Sequence, residues 1–153
     1  MNRTTKYRGR CANTGEWVYG DLIHDCNGKT FISITGYSAL GTGFNCKYSV
    51  DPDTVGQFTG LLDRNHEEIY EGDILQGRSY LYGYQLEKGE QFDYCGFVEW
   101  PEQCDVGLQW MLKDLEQKGS WALRQTVHRN RINFSTGEII GNIHDNPELL
   151  KTK

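Results

Sequence analysis

Proline is scarce in this chain, with 3 residues among 153, and methionine is scarcer still at 2. So little proline excludes a polyproline rod or a proline-rich linker as the main state. Long apolar runs are missing too. The longest uncharged stretch, Thr30 to Cys46, is broken by Gly36, Gly41, Gly43 and several hydroxyls, and it falls short of the roughly 20 residues that a spanning helix needs. Arg3, Lys6, Arg8 and Arg10 make the amino end basic, but no apolar segment follows them. The expectation is therefore no secretory signal, no membrane association and a cytoplasmic location. The five cysteines, Cys11, Cys26, Cys46, Cys95 and Cys104, contain no C-x-x-C pair, which excludes a zinc ribbon and a thioredoxin-type motif and predicts reduced thiols.

What is abundant points to β-structure. Eighteen glycines exceed the usual share of about 7%, and aromatic residues make up 12% of the chain. Glycine suits tight turns and aromatic side chains suit a pleated surface. A hydrophobic fraction of 37% and a charged fraction of 24% exclude disorder, collagen and coiled coil. One domain, residues 1–153, is expected, with a possible division into 1–62 and 63–153.

Strand-like runs at Lys6 to Ala12 and Trp17 to His24 flank Asn13-Thr14-Gly15-Glu16, and Asn27-Gly28 leads into Thr30 to Ile34. Thr35 to Ser49 has three glycines and no steady period, and reads as the longest loop. Val55 to Leu62 and Glu67 to Tyr70 form a hairpin around Asp63-Arg64-Asn65-His66, in which His66 is expected at positive φ. Tyr80, Tyr82 and Tyr84 alternate as a ladder. Strands follow at Gly96 to Trp100, Trp121 to Val127, Ile132 to Phe134 and Glu138 to His144. Val106 to Asp114 fits strand and helix templates, and the turn-like Gln117-Lys118-Gly119-Ser120 favours strand. Asn146 and Pro147 have the form of a helix cap and first helical residue, opening one short helical turn. The predicted fold is all-β: an amino-terminal meander packed on a small barrel-like half.

Catalytic motifs fail on spacing. Gly36-Tyr37-Ser38-Ala39-Leu40-Gly41 has one residue too many after serine for a nucleophile elbow. The chain has no phosphate-loop lysine. Asp63, Asn65 and Glu67 alternate as in a calcium loop, but Glu68 stands where that loop requires glycine. His24 and Cys26 form a lone H-x-C pair, so neither a metal nor any other cofactor is expected. Glu67, Glu68, Glu71 and Asp73 are the densest acidic cluster, and strand alternation aims Glu67 and Glu71 away from Glu68, as on a solvated edge. An acid–base pair for hydrolysis is the least favoured reading.

Net charge is -5, with 16 basic and 21 acidic residues. Six carboxylates against Lys88 crowd Glu87 to Asp105, while Arg124, His128, Arg129 and Arg131 cluster without an acid among them. Lys6, Arg8 and Arg10 share one face on strand spacing. These two basic groups are the raw material for nucleic-acid binding, which an acidic chain does not favour.

Taken together, the run VDPDTVGQFTGLLDRNHEEIYEGDIL, the amino-terminal KYRGRCANTGEWVYGDLI, the GFVEW strand and the closing EIIGNIHDNPELL resemble the YopX family of phage and prophage proteins. Two departures are His66, where the family commonly has glycine, and the segment Gln76 to Cys95. The resemblance implies a β-rich fold, carriage by a phage or prophage, and no established enzymatic activity to transfer. It marks Gly56, Gly60, Tyr70, Glu71, Gly72, Asp73, Gly141, Asn142, Asn146 and Pro147, a set that reads physically as architecture: glycines for turns or close approach, Tyr70 for the core, and Asn142 and Asn146 for local hydrogen bonding. The function expected is a non-enzymatic accessory protein that self-associates or engages a host or phage protein, with nucleic-acid binding as the alternative.

Overall fold

A computed structural model describes residues 5–37, 39–81, 90–100, 110–115, 120–124, 131–133 and 137–151. Among them are the strands β1 (Tyr7–Cys11), β2 (Trp17–His24), β3 (Thr30–Tyr37), β4 (Gly43–Leu62), β5 (Glu68–Tyr70), β6 (Asp73–Leu81), β7 (Glu90–Glu99), β8 (Met111–Asp114), β9 (Ser120–Arg124), β10 (Arg131–Asn133) and β11 (Glu138–Asn142). A 3-10 turn at Pro147–Leu150 is the helical element of this set. The chain divides into two compact units, Met1–Phe58 and Thr59–Lys153, with the boundary inside β4.

In the first unit the pairing returns on itself. β1 pairs β2, β2 pairs β3, β3 pairs β4, and β4 pairs β1, all antiparallel. β4 reaches two partners because it is long: Gly43 to Ser49 lies beside β3, and Val50 to Gln57 lies beside β1. A register shift on the β1 side, between Arg8 and Arg10, falls at Asp51 to Gly56. Pro52 has no N–H to give a ladder, and a bulge is where a strand tolerates it. The Thr54 hydroxyl mends the break by donating to the Asp51 carbonyl at 2.7 Å and accepting the Arg10 N–H at 2.9 Å. Cys11, Ile32 and Val50 are the buried apolar residues of this unit. The turn into β3 is held by Asp25, whose Oδ1 accepts the Asn27 and Lys29 N–H groups at 2.9 and 2.8 Å. The Lys29 N–H, first among these donors, keeps the Asp25 carboxyl below its ordinary range.

The last residues of β4 hydrogen-bond β5, and the remaining strands form a sheet ordered β10-β9-β8-β7-β6-β11. Its β9–β10 pairing is parallel and the others are antiparallel. Ile69, Leu75, Tyr94, Val98 and Leu112 pack as its core, with Leu61, Trp110 and Ile139 against them. Leu75 opposes Ile139 across β6–β11 and Val98 opposes Leu112 across β7–β8, so the alternation of each strand delivers one apolar face. Trp100 and Trp110 meet edge to face with centroids 5.0 Å apart.

The architecture is strand-rich, as the turn-dense sequence predicts. Two expectations need correction. Thr35 to Ser49 is not a loop: β3 and β4 pair through it from Thr35↔Asn45 to Tyr37↔Gly43. The period vanishes there because nearly every residue of this arm is solvent-exposed on both faces, so no alternation is imposed. Of Gln76 to Cys95, residues 76–81 and 90–95 belong to the β6–β7 pairing, with register running to Leu81↔Glu90, and residues 82–89 lie outside the described set. Of its tyrosine ladder, Tyr80 lies in β6, while Tyr82 and Tyr84 fall outside the described residues. Asn146 precedes the 3-10 turn with Pro147 at its start, but its side chain makes no cap bond. It turns back to accept the Asn142 N–H at 3.2 Å, because a turn of four residues has few orphan donors to satisfy. For Val106 to Asp114, the strand reading holds over Met111–Asp114, and residues 106–109 lie outside the described set.

His66 has φ of 66°, and among the described residues it is the non-glycine residue in the left-handed region. Its N–H bonds the Asp63 carbonyl at 3.1 Å, which fixes the tight reversal. A left-handed L-residue costs about 1–2 kcal/mol, and glycine returns part of that as chain entropy. His66→Gly is expected to stabilise the fold by up to about 1 kcal/mol; an unchanged or lower melting temperature in a thermal scan would refute this.

Candidate functional site

A dense set of polar contacts is built on the buried Asp63, only 4% exposed. Its Oδ1 accepts the Asn65 N–H at 2.7 Å and the Glu67 N–H at 2.9 Å, holding the β4–β5 turn. Its Oδ2 accepts the Ile139 N–H at 3.1 Å, tying that turn to β11. Beside it, the Arg64 N–H donates to the Gly137 carbonyl at 2.8 Å, and the Arg64 guanidinium pairs with Glu138. That ion pair is half-exposed and contributes little; the buried carboxylate with three N–H donors holds the junction.

The acidic cluster is taken apart by the fold. Asp73 is buried, and its Oδ2 accepts the Tyr70 N–H at 2.7 Å. Glu68 accepts the Tyr70 hydroxyl at 2.7 Å. Glu67 is exposed and Glu71 half-buried. Tyr70 thus stands between two of the carboxylates, engaging one through its backbone and the other through its ring. Among the described residues no group of three or more His, Cys, Asp or Glu could hold a metal ion. His24 Nδ1 lies 3.3 Å from the Thr30 hydroxyl, and Cys26 is exposed. Cys11, Cys26, Cys46 and Cys95 form no disulfide, and Cys104 lies outside the described residues.

Gly72 joins this region to the end of the chain. At φ of +82° its N–H donates to the Val98 carbonyl at 2.8 Å, and its own carbonyl accepts the Ile143 N–H at 2.9 Å. Past β11, the Asn142 side chain accepts the His144 and Asp145 N–H groups, each at 2.9 Å, and donates to the Asp145 carboxylate at 2.7 Å. A Cβ at Gly141 would strike the Asn146 amide oxygen, so glycine is what lets Asn146 reach the strand. Gly60 lies at φ of +80° on the surface of β4, and Gly56 opposes Arg8 across β1–β4. Pro147 starts the 3-10 turn.

The first basic group lies on β1 and β2. Register sets Arg8 opposite Tyr19 and Arg10 opposite Trp17. The Lys6 ammonium stands 5.8 Å from the Tyr19 ring centroid, and the Arg8 guanidinium 4.7 Å from that of Trp17. Arg10 Nε donates to the Gly15 carbonyl at 2.9 Å. Cations and rings therefore alternate down one face, but Arg8 is 6% exposed. Of the second group, Arg124 ends β9 and Arg131 begins the paired strand β10, two register positions apart, while His128 and Arg129 lie outside the described residues. The two groups belong to different units.

The β3–β4 arm is the other notable surface. Tyr37 is 81% exposed, Leu40 93%, Phe44 44% and Tyr48 37%. Lys47 is the one charged residue from Thr30 to Val50. Phe44 lies across Gly36 on the opposing strand, where a Cβ would come within 2.7 Å of the ring, so the glycine seats the aromatic.

The model of the family described as "YopX protein" matches residues 6–151. The chain belongs to the YopX family. A solved structure described as protein EF1440 from Enterococcus faecalis is similar to this YopX chain at 22% identity, with a TM-score of 0.47, over 98% of this chain and all of that one. No curated protein matches it.

Sequence reasoning read Asp63 only as the start of an Asx turn. Its bond to Ile139 joins positions 76 residues apart and leaves no local trace. Tyr94 was likewise missed. It is 4% exposed, and a Cβ at Gly77 would lie 2.5 Å from its hydroxyl oxygen, while one at Gly137 would overlap it. Glycines on β6 and before β11 thus make the slot in which this phenol sits.

Asp63→Ala should destabilise by about 3 kcal/mol or more, since three N–H donors lose a charged acceptor; denaturant unfolding within about 1 kcal/mol of wild type would show the carboxylate to be dispensable. Gly137→Ala should cost about 1–3 kcal/mol through overpacking. Adding Tyr94→Phe to that variant removes the struck oxygen and should recover part of the loss, so strict additivity in a double-mutant cycle would refute the slot.

Proposed function

We propose that this YopX-family protein is a phage- or prophage-encoded accessory protein, acting in the cytoplasm by binding protein rather than by catalysis. The observation that carries this reading is the β3–β4 arm, where Tyr37, Leu40, Phe44 and Tyr48 meet solvent on a stretch with one charge. Clustered aromatic surface with charge depleted is the composition of interface cores. Family membership supports the setting. Catalysis has less support: Glu68 and Asp73 are engaged by Tyr70 rather than converging on a cleft.

The alternation of Lys6, Tyr19, Arg8, Trp17 and Arg10 favours a second reading, nucleic-acid binding. It is the weaker one. Arg8 is buried, and both rings already face cations, so neither a phosphate nor a base meets an open partner there. Such a face could neutralise at most about three phosphates, for a salt slope near -3 on duplex DNA.

The arm-tip double variant Tyr37→Ser/Leu40→Ser is expected to lose the protein's association, with itself or with a protein recovered from phage-bearing cells, while keeping its melting temperature. Association unchanged in this variant would overturn the reading. A nanomolar nucleic-acid complex that weakens when Lys6 and Arg10 become alanine would replace it.

A further inference from the structure

Protein binding through the arm, on which this inference rests, leaves the partner open, and β4 itself narrows the choice. β1 accompanies β4 only as far as Val50, with the Ala12 N–H reaching the Ser49 carbonyl at 2.9 Å. From Gly43 to Tyr48, β3 occupies one edge, and among the described residues no strand is in register with the other. A bare strand edge is a template for another strand. What occupies it can be read from the residues it carries. Phe44, Cys46 and Tyr48 share a face, all exposed, and Asn45 and Lys47 share the opposite face.

That order is symmetric about Cys46: aromatic, polar, cysteine, polar, aromatic. A two-fold axis brings an edge strand against its own copy in antiparallel register. With the axis at Cys46, Phe44 opposes Tyr48 of the second copy, Tyr48 opposes Phe44, and each Lys47 opposes an Asn45. Aromatic pairs stabilise such ladders, and no like charges stand directly opposed. The chain as a whole has a net charge of -5, but this edge carries a single cation, so two copies meet here without that repulsion.

We propose that the partner of the arm is a second copy of this chain, joined by antiparallel pairing of the two β4 edges over Phe44 to Tyr48 with Cys46 on the two-fold axis. Directly opposed residues of an antiparallel pair have Cα atoms about 4.5–5.5 Å apart, inside the range a disulfide accepts. Under diamide the two Cys46 thiols should therefore couple. The Sγ–Sγ bond forms as two S–H bonds break, and the diamide takes up both electrons and both protons.

The test uses the full chain in sedimentation velocity, with diamide crosslinking followed by peptide mass spectrometry. A dimer is expected, with a Cys46–Cys46 crosslink. Cys46→Lys and Cys46→Asp, each at an exposed position, should separately weaken the dimer by about tenfold, because like charges then face one another across the axis. An equimolar mixture of the two should restore it as a heterodimer, which a mere folding defect could not do. A monomeric wild type, a crosslink only through exposed Cys26, or a dimer indifferent to both Cys46 variants would overturn the proposal. If the wild type is monomeric yet the arm-tip variant still loses a different protein, this inference fails alone. A dimer insensitive to both the Cys46 and the arm-tip variants would remove the broader reading as well.

Discussion

The second unit depends on one carboxylate. Asp63 ends β4, and its two oxygens reach both along the chain and far across it, fixing the turn into β5 and the amino end of β11 together. Without that acceptor, three N–H groups in part-buried bonds would lose a charged partner. The position of β11 then follows, since it must pair with β6 from Glu138↔Gln76 to Asn142↔Asp73 while Asp63 holds Ile139. Gly72 and Asn142 close the far end of the same strand pair. Most residues of the family pattern thus act on one joint between the middle of the chain and its end.

The same joint explains the place of the glycines. Tyr94 brings a large ring and a hydroxyl into a core otherwise formed by Ile69, Leu75, Val98 and Leu112. Room for it comes from Gly77 and Gly137. The β6–β7 hairpin can therefore extend as a long arm while its base remains registered on the sheet. On that arm the Arg78 guanidinium binds the Asp93 carboxylate and holds its pKa low, an exposed pair that decorates the hairpin without anchoring it.

Local chemistry was the legible part. Asn27-Gly28 and Asp63 to His66 announced their turns because an Asx side chain and a left-handed residue act within four positions, and the structure has Gly28 and His66 at positive φ and Asp63 bonded to the N–H of Asn65. The family pattern was readable over nearly the whole chain. Where both faces of a strand meet solvent, as from Thr35 to Lys47, burial selects no alternation and a strand reads as a loop. The shared face of Lys6, Arg8 and Arg10 was inferable from spacing, but the burial of Arg8 was not, because it depends on Trp17 arriving from the neighbouring strand. Asn146 does precede the turn that Pro147 opens, but the partner of its amide oxygen, the Asn142 N–H on β11, was not inferable from the local pattern.

Asp63 and its far partner are separated by 76 residues, and β6 waits nearly as long for β11. At translation rates of about 5–20 residues per second, Asp63 is synthesised roughly 4–15 s before Ile139. During that interval the turn can form, but the edge of β6 that β11 will cover stays open, and the core side of Leu75 has no Ile139 above it. Until β11 is made, the nascent chain thus carries an open β-edge of the kind that templates other strands.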